Sequence, residues 1–129
     1  MGYYSKVAIQ ATSKVYDKIM CSVKEYNEKT GNSFSPDKIL TRDVAKRGIE
    51  YIIYWERVKW YEDYPDIRSI LDVLDEIDEM NNPEYQYDLI RVGEENGDIE
   101  ERSNNILYSD SLSTDTIIEI DDSFNEVIE

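Results

Sequence analysis

The clearest pattern of apolar and polar positions lies in the middle of the chain, where apolar residues recur every three or four positions after Pro65. This spacing places apolar side chains on one face of a helix, and Pro65 stands where the first turn of a helix tolerates proline. The pattern therefore predicts a helix over residues 65–80. Its apolar positions are Ile67, Ile70, Leu71, Leu74 and Ile77.

A strand followed by another helix is predicted at the start of the chain. Residues 3–11 partly alternate and are rich in β-branched and aromatic side chains, which is typical of a strand. Thr12 or Ser13 then offers a helix cap, and apolar residues recur at helical spacing until Thr30, Gly31 and Asn32 stop the pattern. We expect an amphipathic helix of about four turns that packs on the first strand.

Further strands are predicted on both sides of the central helix. Residues 49–61 contain two Trp, three Tyr, three Ile and one Val, which favours a long strand or two strand segments, with a helix as the rival interpretation. Because both faces of such a strand are apolar, we expect it to be central in the sheet. Residues 85–92 and 99–102 are predicted to pair through a turn at residues 93–98, which contains the Asn-Gly sequence typical of hairpins.

The remaining segments carry weaker signals. Residues 33–47 contain a Ser-Pro-Asp turn and are interpreted as a connection that holds a short helix or strand. Residues 106–108 and 116–120 are short β candidates, and residues 121–129 are interpreted as a weak helix or a frayed tail.

The order of these elements predicts the fold class. Strands that flank two helices are typical of an α+β two-layer sandwich, with both helices on one face of a mainly antiparallel sheet. A ferredoxin-like arrangement is the nearest simple topology. A length of 129 residues with 40% hydrophobic content suits one domain over residues 1–129, in which residues 109–129 are a candidate for a partly ordered acidic tail.

Charge is distributed very unevenly along the chain. Residues 1–68 hold 12 basic and 10 acidic residues, whereas residues 69–129 hold 2 basic and 19 acidic residues, within a net charge of −15. Such a surface repels nucleic acid and anionic membranes and attracts basic protein surfaces. We therefore expect the partner to be a cationic protein face, with no direct nucleic acid and no membrane. Solubility alone is the plainer explanation, but it requires a smaller net charge.

The residue types needed for most enzymes are scarce. The chain has no His and one Cys, which removes the commonest general base and ordinary zinc sites. Phosphate-binding glycine loops and nucleophile motifs are missing as well. We expect no catalytic residues, no metal and no cofactor, although residues 94–101 offer oxygen ligands around a turn in an order that does not fit an EF-hand. Cys21 lies among apolar helix positions and is expected to be buried, which indicates a reducing cytoplasm.

Carboxylates of the central helix and the hairpin form the main candidate binding surface. Helical neighbours lie three or four positions apart, so most of the helix carboxylates project to one side. Those near the helix end oppose the helix dipole, which favours a reason for them other than stability. A row of carboxylates also resembles the charge of duplex DNA. The candidate binding residues are Asp66, Asp72, Asp75, Glu76, Asp78, Glu79, Glu94, Glu95, Asp98, Glu100 and Glu101.

The aromatic segment supplies two further candidates, Trp55 and Trp60. Core packing explains most of the aromatic residues, and an interface hot spot is the alternative for one or two of them. Stacking on bases is disfavoured because single-strand binders also need a basic groove.

Four short segments stand out together: IYW at residues 53–55, VKWY at 58–61, RVGEE at 91–95 and DIEE at 98–101. In this pattern the chain resembles small acidic proteins of unassigned function that tailed bacteriophages encode. The resemblance covers residues 3–108 and implies a phage accessory protein, a class that often resembles inhibitors of host nucleases or CRISPR effectors. It carries no residue roles, and residues 109–129 lie outside it.

These observations favour a non-enzymatic function in the host cytoplasm. The leading hypothesis is an anti-CRISPR or other anti-defence inhibitor that binds a basic, nucleic-acid-handling host protein through residues 66–101, by charge mimicry or steric blocking. The alternative is a phage structural or assembly protein that self-associates through the aromatic strand at residues 49–61.

Overall fold

Six strands and two helices run through the part of the chain that the computed structural model describes, which comprises residues 3–44, 48–103 and 125–126. The elements in chain order are β1 Ser5–Thr12, α1 Ser13–Thr30, β2 Lys38–Val44, β3 Gly48–Val58, α2 Pro65–Met80, β4 Tyr87–Gly93, β5 Ile99–Ser103 and β6 Asn125–Glu126.

The strands form one antiparallel sheet in the order β5-β4-β1-β3-β2-β6. Within it, β4-β1-β3-β2 is the strand order of a ferredoxin-like arrangement, because α1 connects β1 to β2 and α2 connects β3 to β4. β5 extends the sheet beyond β4 through the predicted hairpin. The predicted α+β sandwich with both helices on one face is confirmed.

The main core lies between the sheet and the two helices. Val15, Ile19 and Val23 form the buried face of α1, as the spacing predicts. The predicted apolar stripe of α2 is buried as well. The sheet supplies Val7, Ile9, Ile53, Trp55 and Leu89 to the same cluster. Burial of these side chains, at about 25 cal/mol per Å² of apolar surface, holds the two layers together.

The opposite face of the sheet carries a smaller buried cluster. Ala8, Leu40, Ile52, Tyr54 and Ile90 belong to it, and no residue of either helix does among those the structure describes. β3 therefore contributes apolar residues to both faces and lies between β1 and β2, so its predicted central position is confirmed.

The segments around β3 agree with the sequence prediction in one case and differ in another. The connection at residues 33–47, predicted to hold a short helix or strand, holds the strand β2. Where β2 begins, the Glu56 backbone N–H donates to the Asp37 carboxylate at 2.7 Å. β3 ends at Val58, so Trp60 and Tyr61 lie in the loop that leads to α2. The weak β candidates at residues 106–108 and 116–120 lie outside the described residues.

The interpretation of residues 121–129 as a weak helix or frayed tail is wrong at Asn125–Glu126. These two residues form β6 and pair with β2, Thr41 with Asn125 and Leu40 with Glu126. An unpaired edge strand leaves its backbone N–H and C=O groups without partners. β6 supplies partners for part of the outer edge of β2.

The expectation that Cys21 is buried is wrong, because its side chain is exposed. Cys21 lies two positions from Ile19 and two from Val23, and two helical steps rotate a side chain by about 200°. It therefore faces away from the core, which the spacing of the buried positions already implied. No helix in the described part of the chain is long and apolar enough to cross a membrane.

Candidate protein-binding surface

We define the acidic surface as the outward side of α2 together with the tip of the β4–β5 hairpin and the side of the hairpin that carries the helices. The geometry of α2 positions its first part. Pro65 occupies the first turn and Asn81, at φ 51°, ends the helix in the left-handed conformation. Because the apolar stripe faces the core, Asp72, Asp75 and Glu79 are left on the solvent side. Asp66 is half-buried in the first turn, where its carboxylate accepts from the Ile67 backbone N–H at 2.8 Å.

Arg68 lies among the carboxylates of α2. Its guanidinium contacts Asp72 one turn later and reaches Asp75 at 3.2 Å. The contact with Asp72 raises the pKa of Arg68. These pairs are exposed, so they add little stability, but they hold two carboxylates in fixed positions.

Arg102 on β5 joins the hairpin to the helix. Its Nη2 contacts Asp75 Oδ1 at 2.7 Å and Asp78 Oδ2 at 2.9 Å. Its Nε donates to Tyr87 Oη at 2.9 Å, and that hydroxyl donates to Asp78 Oδ1 at 2.9 Å. The Arg102 guanidinium lowers the pKa of Asp75, and burial raises the pKa of Tyr87. Arg102 therefore ties β4, β5 and α2 into one surface.

This cluster changes the interpretation of the acidic residues near the end of α2. The sequence indicated that they cost stability against the helix dipole, but Asp78 is bound by Arg102, and Glu76 contacts Lys18 of α1 at 3.4 Å. A structural reason thus exists for both. Glu79 is exposed and forms no ion pair with the residues that the structure describes.

A second arginine organises the hairpin. Arg91 Nη2 contacts Asp98 Oδ1 at 2.9 Å, and its Nε contacts Glu100 Oε1 at 2.9 Å. Tyr3 Oη donates to Asp98 Oδ2 at 2.6 Å and accepts from the Glu95 backbone N–H at 2.9 Å. The Arg91 guanidinium and then the Tyr3 hydroxyl lower the pKa of Asp98.

Gly93 lies at the centre of this hairpin cluster. A Cβ atom at this position would collide with the Asp98 carboxylate and the Tyr3 hydroxyl. We expect Gly93→Ala to lower the free energy of unfolding by about 2 kcal/mol, because the cluster must open to admit the methyl group. Urea unfolding measures this change. Gly97→Asn is the matched control: Gly97 has φ +86° and open space around it, and Asn tolerates that conformation. Equal losses in both variants would contradict the collision.

The predicted binding residues do not all lie together. Arg91 and Arg102 bring Asp98, Glu100, Asp75 and Asp78 to the side of the sheet that carries the helices. Glu101 projects to the other face, because strand residues alternate between faces. Glu94 and Glu95 are exposed at the hairpin tip, where Glu94 accepts from the Tyr4 backbone N–H at 2.6 Å.

Glu101 lies on the same face of the sheet as Asp88, whose carboxyl group has a raised pKa. Burial raises the pKa of Asp88 to about 6, and the neighbouring charges of Glu101 and Glu50 add to the shift while a hydrogen bond with Ser103 opposes it. Glu50 is fully buried and accepts from Gln10 Nε2 at 2.8 Å. This region lies beside β5 but outside the acidic surface.

Because the folded pKa of Asp88 lies above its unfolded value, the group adds stability at low pH and loses that contribution as pH rises from about 4 to 6. Asp88→Asn should therefore raise the free energy of unfolding at pH 7 by about 1 kcal/mol, after discounting for partial exposure. Urea unfolding at several pH values measures the difference between the two proteins. We expect the difference to shrink at pH 4; a difference independent of pH would contradict the burial argument.

The two tryptophans have different positions. Trp55 is 3% exposed and packs between Phe34 and Trp60, with ring centroids 5.8 Å from each. Core packing thus accounts for Trp55, which offers no surface to a partner. Trp60 is 8% exposed and lies at the wall of a cleft. The aromatic strand is an interior strand with most of its large side chains buried, so it presents little surface for self-association.

The described residues show no group of three or more carboxylate, histidine or cysteine side chains arranged to hold a metal ion.

Comparisons of the chain with protein-family models, with curated proteins and with solved structures found no match. The interpretation of the acidic surface therefore depends on its geometry and charge.

Proposed function

We propose that this protein inhibits a host protein that handles nucleic acid, and that it does so by binding the partner's basic surface with its acidic surface. The observation that carries the proposal is the concentration of charge: residues 69–103 hold twelve acidic and two basic residues, and Arg102 joins the helix and the hairpin that contain all of the acidic ones except Glu84.

The spacing of the helix carboxylates supports charge mimicry. Asp72 and Glu79 lie seven residue steps apart on α2, which corresponds to about 10.5 Å at 1.5 Å per residue. With Asp75 and Glu76 between them, the four carboxylates make three intervals of about 3.5 Å on average, close to the ~3.4 Å between phosphates along one DNA strand. A protein groove that binds a phosphate backbone can therefore accept this row.

Preorganisation is a second supporting feature. Arg68, Arg91 and Arg102 hold their carboxylates at fixed distances before any partner arrives. Ordering flexible side chains costs binding free energy, so fixed carboxylates bind more tightly than free ones. The three arginines neutralise part of the charge, but the acidic residues of the segment remain in large excess.

In this proposal the protein is a bacteriophage anti-defence inhibitor. A CRISPR effector is one possible type of partner, because it binds nucleic acid through basic surfaces. Binding alone produces the effect, by occupying the nucleic-acid site or by blocking access to it. The protein acts in the cytoplasm of the host cell, where such partners work.

The test is affinity capture from a bacterial lysate with the immobilised full-length chain, washed at low and then high salt. We expect a small set of nucleic-acid-binding proteins that remain at low salt and leave at high salt, because exposed charges are screened beyond about 10 Å at 0.1 M salt. Recovery of proteins without nucleic-acid function, or binding insensitive to salt, would contradict the proposal.

A further inference from the structure

A cleft of about 590 Å³ opens beside the acidic surface, between the loop that follows β3 and the hairpin. Its volume lies within the range of about 300 to 1,000 Å³ that is typical of ligand sites. One wall is aromatic and the rim is acidic. The aromatic residues are Tyr3, Trp60 and Tyr61, and the rim residues are Glu62, Asp63 and Glu100.

The charge of the cleft selects the kind of group that enters it. Arg91 and Asp98 complete the lining, but the Arg91 guanidinium already contacts Asp98 and Glu100, and it donates to Ser5 Oγ at 3.0 Å. It is therefore committed to internal partners and does not attract an anion. Four carboxylates against one guanidinium leave the lining strongly negative, which favours a cation.

The aromatic wall provides a second attraction for the same group. A cation over the face of a Trp or Tyr ring is attracted to the ring's electron density, and the attraction grows when water is excluded. The rings are already oriented: the Tyr3 backbone N–H donates to Tyr61 Oη at 2.8 Å, and Tyr61 packs edge-to-face on Tyr64 at 4.8 Å. The cleft thus combines rings and carboxylates that are in place before binding.

We propose that this cleft receives an arginine or lysine side chain from a short basic segment of the partner protein. The inference deepens the proposed function, on which it rests, by naming the chemistry of the contact. The cleft is large enough for one basic side chain and the backbone around it. A basic side chain inserted here anchors the partner at one defined point, while the exposed carboxylates of α2 supply the less specific attraction.

Peptide titration followed by NMR tests the cleft in the intact chain. The probe is a blocked Gly-Arg-Arg-Gly peptide, and the matched control is a blocked Gly-Glu-Glu-Gly peptide. We expect the arginine peptide alone to shift the Trp60 indole N–H and the amides of Glu62 and Asp63, in a saturable way. No shift, or equal shifts with both peptides, would overturn the proposal.

Variants separate the cleft from general acidity. Glu62→Gln with Asp63→Asn, and separately Tyr61→Leu, should weaken peptide binding about fivefold or more, since each removes a charge or ring contact. The matched control, Glu25→Gln with Glu28→Gln on α1, removes the same charge elsewhere and should leave the affinity unchanged. Equal weakening by the control would overturn the cleft assignment.

The outcome is distinguishable from that of the proposed function. If a captured partner displaces nucleic acid but the peptide does not bind the cleft, the cleft inference fails and the inhibitor proposal stands. If the peptide binds as expected but no nucleic-acid-handling partner is captured, the inhibitor proposal fails and the cleft remains a site for a basic segment.

Discussion

A variant with lysine at Asp72, Glu79 and Glu95 is expected to lose about 100-fold in affinity for the captured partner. The three residues lie on the outward side of α2 and at the hairpin tip, and all are exposed. Each substitution removes an attraction and adds a repulsion, and three such changes of about 1 kcal/mol give roughly two powers of ten. Calorimetry or surface plasmon resonance at low salt measures the loss.

The matched control places lysine at Asp17, Glu25 and Glu28, which are exposed positions on α1. It changes the net charge by the same amount but leaves the acidic surface intact, so its affinity should change only slightly. A loss of equal size in both variants would show that only net charge matters, and it would contradict a defined acidic surface. Both variants should keep their helices, because lysine has a high helix propensity and because Glu79, Glu25 and Glu28 lie toward the C-terminal ends of their helices, where a positive charge is favourable.

Arg102→Met is expected to lower the free energy of unfolding by about 2 kcal/mol, because the substitution leaves Asp78 and the buried Tyr87 hydroxyl without the charged donor that now binds both. Methionine retains much of the aliphatic packing. Urea unfolding at pH 7 measures the change, and partial exposure of the guanidinium keeps it below the cost of a fully buried pair.

Arg68→Met is the matched control for this prediction. Arg68 contacts Asp75 as Arg102 does, but its partners lie on its own helix and are exposed. Its removal should therefore lower the free energy of unfolding much less. Equal losses would contradict the view that Arg102 stabilises the protein by joining β5 and β4 to α2. The loss of unfolding free energy in Arg102→Lys should lie between the losses in Arg102→Met and Arg68→Met, because lysine keeps the positive charge but lacks the Nε donor.

Local patterns in the sequence were sufficient for the helices and for most strands. The apolar stripe after Pro65 predicted α2 over the residues that form it, because period and caps are encoded within one element. The apolar residues on both faces of the predicted strand at residues 49–61 predicted the central position of β3. For the segment that forms β2 the sequence did not decide between a short helix and a strand, because its seven residues carry mixed charge and its strand structure depends on pairing with β3.

The sequence predicted that the candidate site is acidic, but it did not predict which of its residues contact one another. Charge counts located the acidic surface, since they require no tertiary structure. The contacts of Arg102 with Asp75 and Asp78 join residues 27 and 24 positions apart, and no local rule predicts them. The cleft was missed for the same reason, because Tyr3, Trp60 and Glu100 meet only in the folded chain.

The most direct test of the central claim is competition between this protein and DNA for the captured partner. A labelled duplex bound to the partner has high fluorescence anisotropy, and the protein is then titrated into the complex. We predict that anisotropy falls to the value of free DNA with wild-type protein, and that the lysine variant at Asp72, Glu79 and Glu95 requires about 100-fold more protein. Anisotropy that stays high or rises, as in a ternary complex, would contradict the claim that the acidic surface occupies the partner's nucleic-acid site.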